Sequence, residues 1–393
     1  MRVLFHYTHK ETLGHTTRSI ALASAIGRHG ADVLILQGGV PQPFVRVPEG
    51  CRSVDIPFPF DNRTSFQAHT APVSSNNRAQ FILKTAAEFS PDVFITEFFP
   101  FGRLAYMPEL LPTLRYLRTK NTRIIASIGY PLLIDLDRLA DTTFAALHRA
   151  VFAFYDSFLI HTPKDLETSY IRNTIRQPEW TNAYDTVMKN IKERTVYTGY
   201  VFPEDMLTGG TNLPVEKGIK TLVVSRGGGA VYPKIVTCAI EAQRSIKDIR
   251  TIIACGPATS EKEMALFESS LTDEDRKRVV LARRIDNLGE HLKHCAVSVS
   301  LCGYNTSVQL MRYGTPSVIV PYQNTNYKMP TNDQIARAEI FKEHFSSPVL
   351  HHDAMTGQSL TAAIEELLGK PRPKPAASKW FNGADASARH IVK

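Results

Sequence analysis

Three loops in this chain of 393 residues combine glycine with side chains that can bind an anion or move a proton. The first runs Leu13-Gly14-His15-Thr16-Thr17-Arg18, between a short apolar run and a helix-like stretch. Gly14 permits a tight turn, and the helix N-terminus behind it offers unpaired N–H donors to an anion. At that mouth the imidazole of His15 could take a proton from a hydroxyl as a general base near neutral pH. The alternative is a polar residue that only caps its helix. Arg18, one turn on, either meets a phosphate or faces solvent.

The second loop, Ser225-Arg226-Gly227-Gly228-Gly229-Ala230, follows the strand-like TLVVS and precedes a helix-like segment. Its three glycines let backbone N–H groups approach a diphosphate with no side chain in the way, and the next helix dipole adds attraction. A plain flexible turn is the alternative. The GxxxxGK[ST] pattern of a P-loop is absent, and no GxGxxG follows the first strand, which counts against a nicotinamide dehydrogenase. The third loop is Cys302-Gly303-Tyr304-Asn305-Thr306-Ser307, leading to Gln309. Its N–H groups and hydroxyls suit phosphate oxygens, although Asn305, Thr306 and Ser307 are equally good helix caps. Farther on, SVIVPY leads to Asn332-Asp333-Gln334 at another helix start, where Asp333 and Gln334 could bind sugar hydroxyls.

Glu97 ends DVFIT and precedes Phe98-Phe99-Pro100-Phe101-Gly102. It could orient His15, replace it as the base, or be a solvated loop charge. The three phenylalanines read as packing or as the wall of an acceptor site. His351-His352-Asp353 has metal-ligand residue types without a ligand spacing and reads as a surface turn. No Asp-x-Asp pair follows a strand, so no metal is expected, and phosphate charge would be met by N–H groups, dipoles and basic side chains.

These loops need a frame. Apolar runs at 2–7, 33–37, 92–96, 123–127 and 157–160 read as strands, with helix-like segments at 15–28, 75–89 and 136–154. A second series has strands at 219–225, 249–254, 278–282, 296–300 and 317–320 with helices between them. Strands alternating with helices imply parallel sheets, so the fold class is α/β with two Rossmann-like domains. The break at Thr198–Pro203, Gly209-Gly210 and Pro214 reads as a linker. The expected domains are 1–203, 204–370, and a C-terminal segment 371–393 whose proline-rich start and final helix could cross back to the first domain.

A chain of this length with 43% apolar and 21% charged residues exceeds what one core usually serves and is globular. The net charge of +8 favours anionic partners. The basic residues are scattered, without an aromatic RNA-reading signature or zinc-finger spacing, so phosphorylated small molecules come first, nucleic acid is not expected, and peripheral membrane contact stays open. Five cysteines form no CxxC pair, the N-terminal apolar run is too short for a signal peptide, and nothing is long enough to span a bilayer, so a cytoplasmic protein is expected.

In combination, these segments resemble inverting glycosyltransferases of the GT-B type related to the peptidoglycan lipid-intermediate N-acetylglucosaminyltransferase, and especially a bacterial branch of predicted glycosyltransferases. The likeness spans nearly the whole chain: LGHTTR at Leu13–Arg18, SPDVFITEFFPFG around Glu97, SRGGGA at 225–230, CGYNT at 302–306, GTPSVIVPY at 314–322 and NDQIARA at 332–338. Each motif is weak alone, and together they are specific. The resemblance implies two domains facing across a cleft, the acceptor bound mainly by the N-terminal one and a nucleotide diphosphate sugar, with uridine as the usual base, by the C-terminal one. It further implies diphosphate binding at Gly227 to Ala230, phosphate and ribose contacts from Tyr304 to Gln309, and sugar contacts at Asp333 and Gln334. The chain departs from the pattern at Gln309, where the family commonly has glutamate, and at Thr12, where the branch usually has glycine. The long loops at 57–75 and 98–110 leave the acceptor undefined. Two rivals share the architecture: a nucleotide-sugar 2-epimerase and a non-catalytic nucleotide-sugar-binding relative.

Overall fold

The computed structural model describes the chain outside residues 10–12, 40–41, 43, 60–72, 103, 134–135, 165, 203–207, 217, 229–230 and 323–332, and, among the helices, outside the side chains of 73–75, 105 and 167. The N-terminal sheet holds β1 (Arg2–His9), β2 (Asp32–Gly39), β3 (Cys51–Asp55), β4 (Val93–Glu97), β5 (Arg123–Ile128), β6 (Ser157–Ile160) and β7 (Thr195–Tyr197). Its order is β3-β2-β1-β4-β5-β6-β7. The C-terminal sheet holds β8 (Thr221–Ser225), β9 (Arg250–Ala254), β10 (Val279–Ala282), β11 (Val297–Leu301) and β12 (Ser317–Val320), in the order β10-β9-β8-β11-β12. Every pairing in both is parallel. Parallel strands need covering helices on both faces, which is why β1, β4 and β11 are buried almost end to end.

The ten expected strands fall within two residues of observed ones. β3 and β7 escaped the reading because both are edge strands without a buried apolar run: CRSVD is mostly exposed and TVY is three residues long. The helix expected over 136–154 is two pieces, a short 3₁₀ turn Leu136–Ala140 and a helix Thr142–Phe152. Between them Asp141 caps the second piece by accepting from the Thr143 and Phe144 N–H groups.

The last helix, Gly383–Val392, buries Ala388 and Ile391 against the first helix, Gly14–Arg28, beside β1 and β4. Its entry is tied to the segment after β7, where the Tyr200 N–H donates to Trp380 O at 2.6 Å and the Gly383 N–H donates to Tyr200 O at 3.0 Å. One cluster of buried apolar residues runs from Leu4 through Tyr200 and Tyr304 to Phe345, so the two sheets share packing. No helix among the described residues is long and apolar enough to cross a membrane.

Candidate active site

In an open parallel sheet the crevice lies where strand order reverses, beyond the carboxyl ends of the strands. Here the reversals are between β1 and β4 and between β8 and β11. The first pair delivers His15 and Glu97, the second Ser225 and Gly303. Both crevices open into one cavity of about 460 Å³ between the sheets. Gly14, His15, Arg18, Ser225, Gly227, Gly228, Gly303, Tyr304, Asn305, Thr306, Gln309, Asp333 and Gln334 all line it. Gly229 and Ala230 lie outside the described residues. Glu97 is the one remaining site candidate; it stands behind the wall, buried.

His15 is not the N-cap residue of its helix. Leu13 occupies the N-cap position of that helix with no side-chain hydrogen bond. The His15 Nδ1 lies 2.9 Å from Glu97 Oε1, and its ring is 5.7 Å from that of Phe98. Phe98 holds a left-handed φ of 62°, which costs about 1–2 kcal/mol in a residue with a Cβ; this turn sets its ring against His15. The Arg18 guanidinium also donates to Glu97 Oε1 and stacks 5.0 Å from the centre of the Tyr304 ring. Gly129 makes room for it, since a Cβ there would stand 2.5 Å from Arg18 Cζ.

Burial alone would raise the Glu97 carboxyl, but Arg18 and then His15 outweigh it and bring it down to about 2. An ionised carboxylate only accepts, so His15 carries its proton on Nδ1 and its Nε2 is left basic. The same logic orders the partners behind. Ser127 Oγ donates to Glu97 Oε2 at 3.2 Å, and His161 Nε2 donates to Ser127 Oγ at 2.9 Å. His161 Nδ1 then accepts from Thr198 Oγ1 at 2.9 Å. Burial, helped by Arg18, pushes His161 down to about 3, so its ring stays neutral. A histidine held by a buried carboxylate through Nδ1 can accept a proton at its other ring nitrogen from a hydroxyl placed in the cavity.

Across the cavity the groups suit an anion. Gly303 is the N-cap of the helix Tyr304–Tyr313 with no side-chain cap, so the N–H groups of its first turn are not taken by a capping side chain. Asn305, read as a cap or a phosphate contact, donates from its amide nitrogen to Thr17 Oγ1 of the first helix. Gly227 takes a φ of 78° in the glycine loop. A Cβ on Gly228 would sit 2.7 Å from the Leu13 backbone nitrogen, so the two glycine loops touch. Asp333 is engaged by Arg337, and Gln334 Oε1 accepts from the Tyr322 N–H at 2.9 Å.

Several lining residues were not singled out from sequence. Arg226 is wholly buried and braces the glycine loop from below, donating to Val231 O at 2.6 Å and pairing with Glu263 at 3.1 Å. Arg283, Arg284 and Asp286, after β10, also line the cavity. The rule applied to the other strand ends would have found them. Nothing local marks Ser127, Gly129 or His161, which matter only through neighbours distant in sequence. His351-His352-Asp353 is a turn in which His352 pairs with Asp353 at 3.0 Å and its ring meets Tyr232 and Tyr322. Among the described residues no group of three or more His, Cys, Asp or Glu gathers as a metal site, and all five cysteines are free.

Residues 221–391 match the glycosyltransferase family 28 C-terminal domain. A relative from Bacillus cereus, UDP-N-acetylglucosamine--N-acetylmuramyl-(pentapeptide) pyrophosphoryl-undecaprenol N-acetylglucosamine transferase 2, is 26% identical over 204 residues, covering 50% of this chain and 54% of the relative. The chain thus spans about half the length of the relatives it matches by sequence. Among solved structures, the glycotransferase of kitacinnamycin superposes with a TM-score of 0.65 at 14% identity over 100% of this chain and 98% of that one. MurG of Acinetobacter baumannii gives 0.54 at 14% identity, over 100% and 99% of the two chains. The UDP-GlcNAc 2-epimerase of Methanocaldococcus jannaschii gives 0.57 at 10%, again over 100% and 99%. Residues 221–391 therefore match a glycosyltransferase family 28 C-terminal domain, the whole chain has a GT-B fold, and about half of it is similar in sequence to the Bacillus cereus N-acetylglucosamine transferase.

Proposed function

We propose that this chain is an inverting glycosyltransferase that moves a sugar from a nucleoside diphosphate donor, a UDP-sugar, to a hydroxyl acceptor. The observation that carries the reading is the shared cavity: the His15–Glu97 pair stands on one side, and the glycine loop with an uncapped helix end stands on the other. In this reading residues 1–203 hold the acceptor, 204–370 hold the donor, and 371–393 return to the first half. The boundary at 203/204 and most of the 57–75 acceptor loop lie outside the described residues.

The chemistry follows from the positions. N–H groups of Gly227, Gly228 and the Tyr304 helix would take the diphosphate, with Arg226, Arg283 and Arg284 contributing positive charge nearby. Gln309, whose amide lies against Gly289, would take the ribose hydroxyls, and Asp333 and Gln334 the sugar. His15 Nε2 removes the acceptor proton as the oxygen attacks the anomeric carbon from the face opposite the leaving diphosphate. Attack from that side inverts the anomeric centre. Glu97 fixes the tautomer and stabilises the imidazolium that forms. No resident cofactor or metal is assigned, and the protein is placed in the cytoplasm.

The experiment is incubation with UDP-sugars and candidate acceptors, with products identified by mass spectrometry. Transfer with release of UDP supports the reading. The fold likeness to a 2-epimerase gives one rival a specific basis. Donor alone separates the two, since an epimerase converts it without any acceptor. Donor binding with no conversion and no transfer would favour a non-catalytic binder.

A further inference from the structure

The Tyr304 side chain leaves the C-terminal half and ends in the N-terminal one. Its hydroxyl donates to His161 O at 2.8 Å and accepts from the Val201 N–H at 3.0 Å, in the segment joining the two sheets. Both hydrogen-bonding functions of that oxygen are engaged with backbone groups, so a phosphate would have to displace one of them. Its ring meets Tyr130 at 5.8 Å and Tyr200 at 5.9 Å, both edge-on. Over the same ring lies Arg18, whose other side is held by Glu97. The next residue, Asn305, reaches Thr17 on the helix that carries His15.

We propose that Tyr304 is a positioning residue that ties the anion-facing end of its helix to the His15–Glu97 pair through Arg18. This rests on reading that helix end as the donor site. Tyr304 is the first residue of its helix, so capture of a diphosphate at the N–H groups there acts on the backbone that carries the ring. Movement of the ring moves the cation stacked on it. Arg18 Nη2 is 3.4 Å from His15 Nδ1, so its placement sets how much of the Glu97 charge remains for the imidazole. The other charged groups lining the cavity across from His15 are Arg226, Arg283, Arg284, Asp286 and Asp333; none of them is carried by the Tyr304 ring. Behind Glu97 stands the neutral His161, through Ser127.

The test is the titration of the His15 imidazole by NMR, its resonance assigned with His15→Gln. It is run on the full chain, on Tyr304→Phe and on Tyr304→Leu, with and without UDP, alongside calorimetry of UDP binding and a thermal melt. Loss of the ring frees Arg18 to leave Glu97, so the His15 midpoint in Tyr304→Leu should rise by about one unit even without UDP. Tyr304→Phe keeps the ring but loses its two anchors and should move the midpoint the same way by less. UDP should shift the His15 resonance in the unaltered protein and shift it much less in Tyr304→Leu. A folded Tyr304→Leu protein with an unchanged midpoint overturns the proposal; if that variant does not fold, an unchanged midpoint in Tyr304→Phe does so. Failure of UDP to bind the unaltered protein would remove the donor reading instead, while the ligand-free midpoints still decide the role of Tyr304.

Discussion

Replacing Glu97 by glutamine keeps the size of the side chain, removes its charge and turns one of its two acceptor oxygens into a donor. That charge is buried beside Arg18, whose own side chain is 5% exposed, and solvent screens the pair little. The carboxyl falls from an ordinary 4.5 to about 2 in the folded protein, an interval worth about 3 kcal/mol of stability at neutral pH. A depressed folded-state value gives stability that is fully present above the unfolded value and lost as pH falls through the folded one. In Glu97→Gln the guanidinium stays buried without a counter-charge, and breaking such pairs typically costs about 3–5 kcal/mol. The assay is urea unfolding of both proteins in steps from about pH 7 to about pH 3. The variant should be less stable by about 3 kcal/mol at the upper end, with the gap narrowing below about pH 4.5 as the carboxyl of the unfolded parent chain takes up a proton that the native carboxylate does not bind until about pH 2. A variant as stable as the parent, with the same pH slope, would refute the placement of an ionised Glu97 against Arg18.

Gly228→Val should abolish or greatly weaken UDP binding measured by calorimetry, because a Cβ there meets the Leu13 backbone at 2.7 Å and blocks approach to the loop N–H groups; a folded variant with unchanged affinity would misplace the diphosphate. Gly129→Ala should act at a distance, since its Cβ would displace an arginine pinned on two sides; turnover should fall with UDP affinity nearly kept, and parental kinetics would show that Arg18 yields at no cost. Transfer activity should survive EDTA, whereas activity that is lost to the chelator and returns with manganese or magnesium would reveal a cation site.

How the chain folds could be read wherever a strand was a buried apolar run with a helix after it. β1 with its helix and β8 with its glycine loop needed nothing beyond the alternation of period and the punctuating glycines. β3 and β7 are held by pairing to a neighbour, and local composition carries no record of a partner. The candidate site was legible at its glycine turns because conformational need and residue type coincide there. It was not legible where function depends on strand order. That β4 lies beside β1, which brings Glu97 to His15 across 82 residues of sequence, follows from topology. Arg18 shows the limit best: its type permitted a phosphate contact, and only the fold shows its guanidinium engaged with Glu97 and Tyr304. Asp333 and Gln334 line the cavity, yet each already holds a partner that sequence spacing only half announces: Arg337 one turn on, and Tyr322 just beyond the preceding strand.

The measurement closest to the central claim compares His15→Ala with the parent chain, once mass spectrometry of UDP-sugars incubated with an extract of the source cells has found an acceptor. Turnover at saturating donor should fall by about 10² to 10⁴, the usual contribution of a general base, with UDP affinity by calorimetry essentially unchanged. A His15→Ala protein that transfers sugar at the parental rate would remove the histidine from the chemistry and leave Glu97 as the base to test.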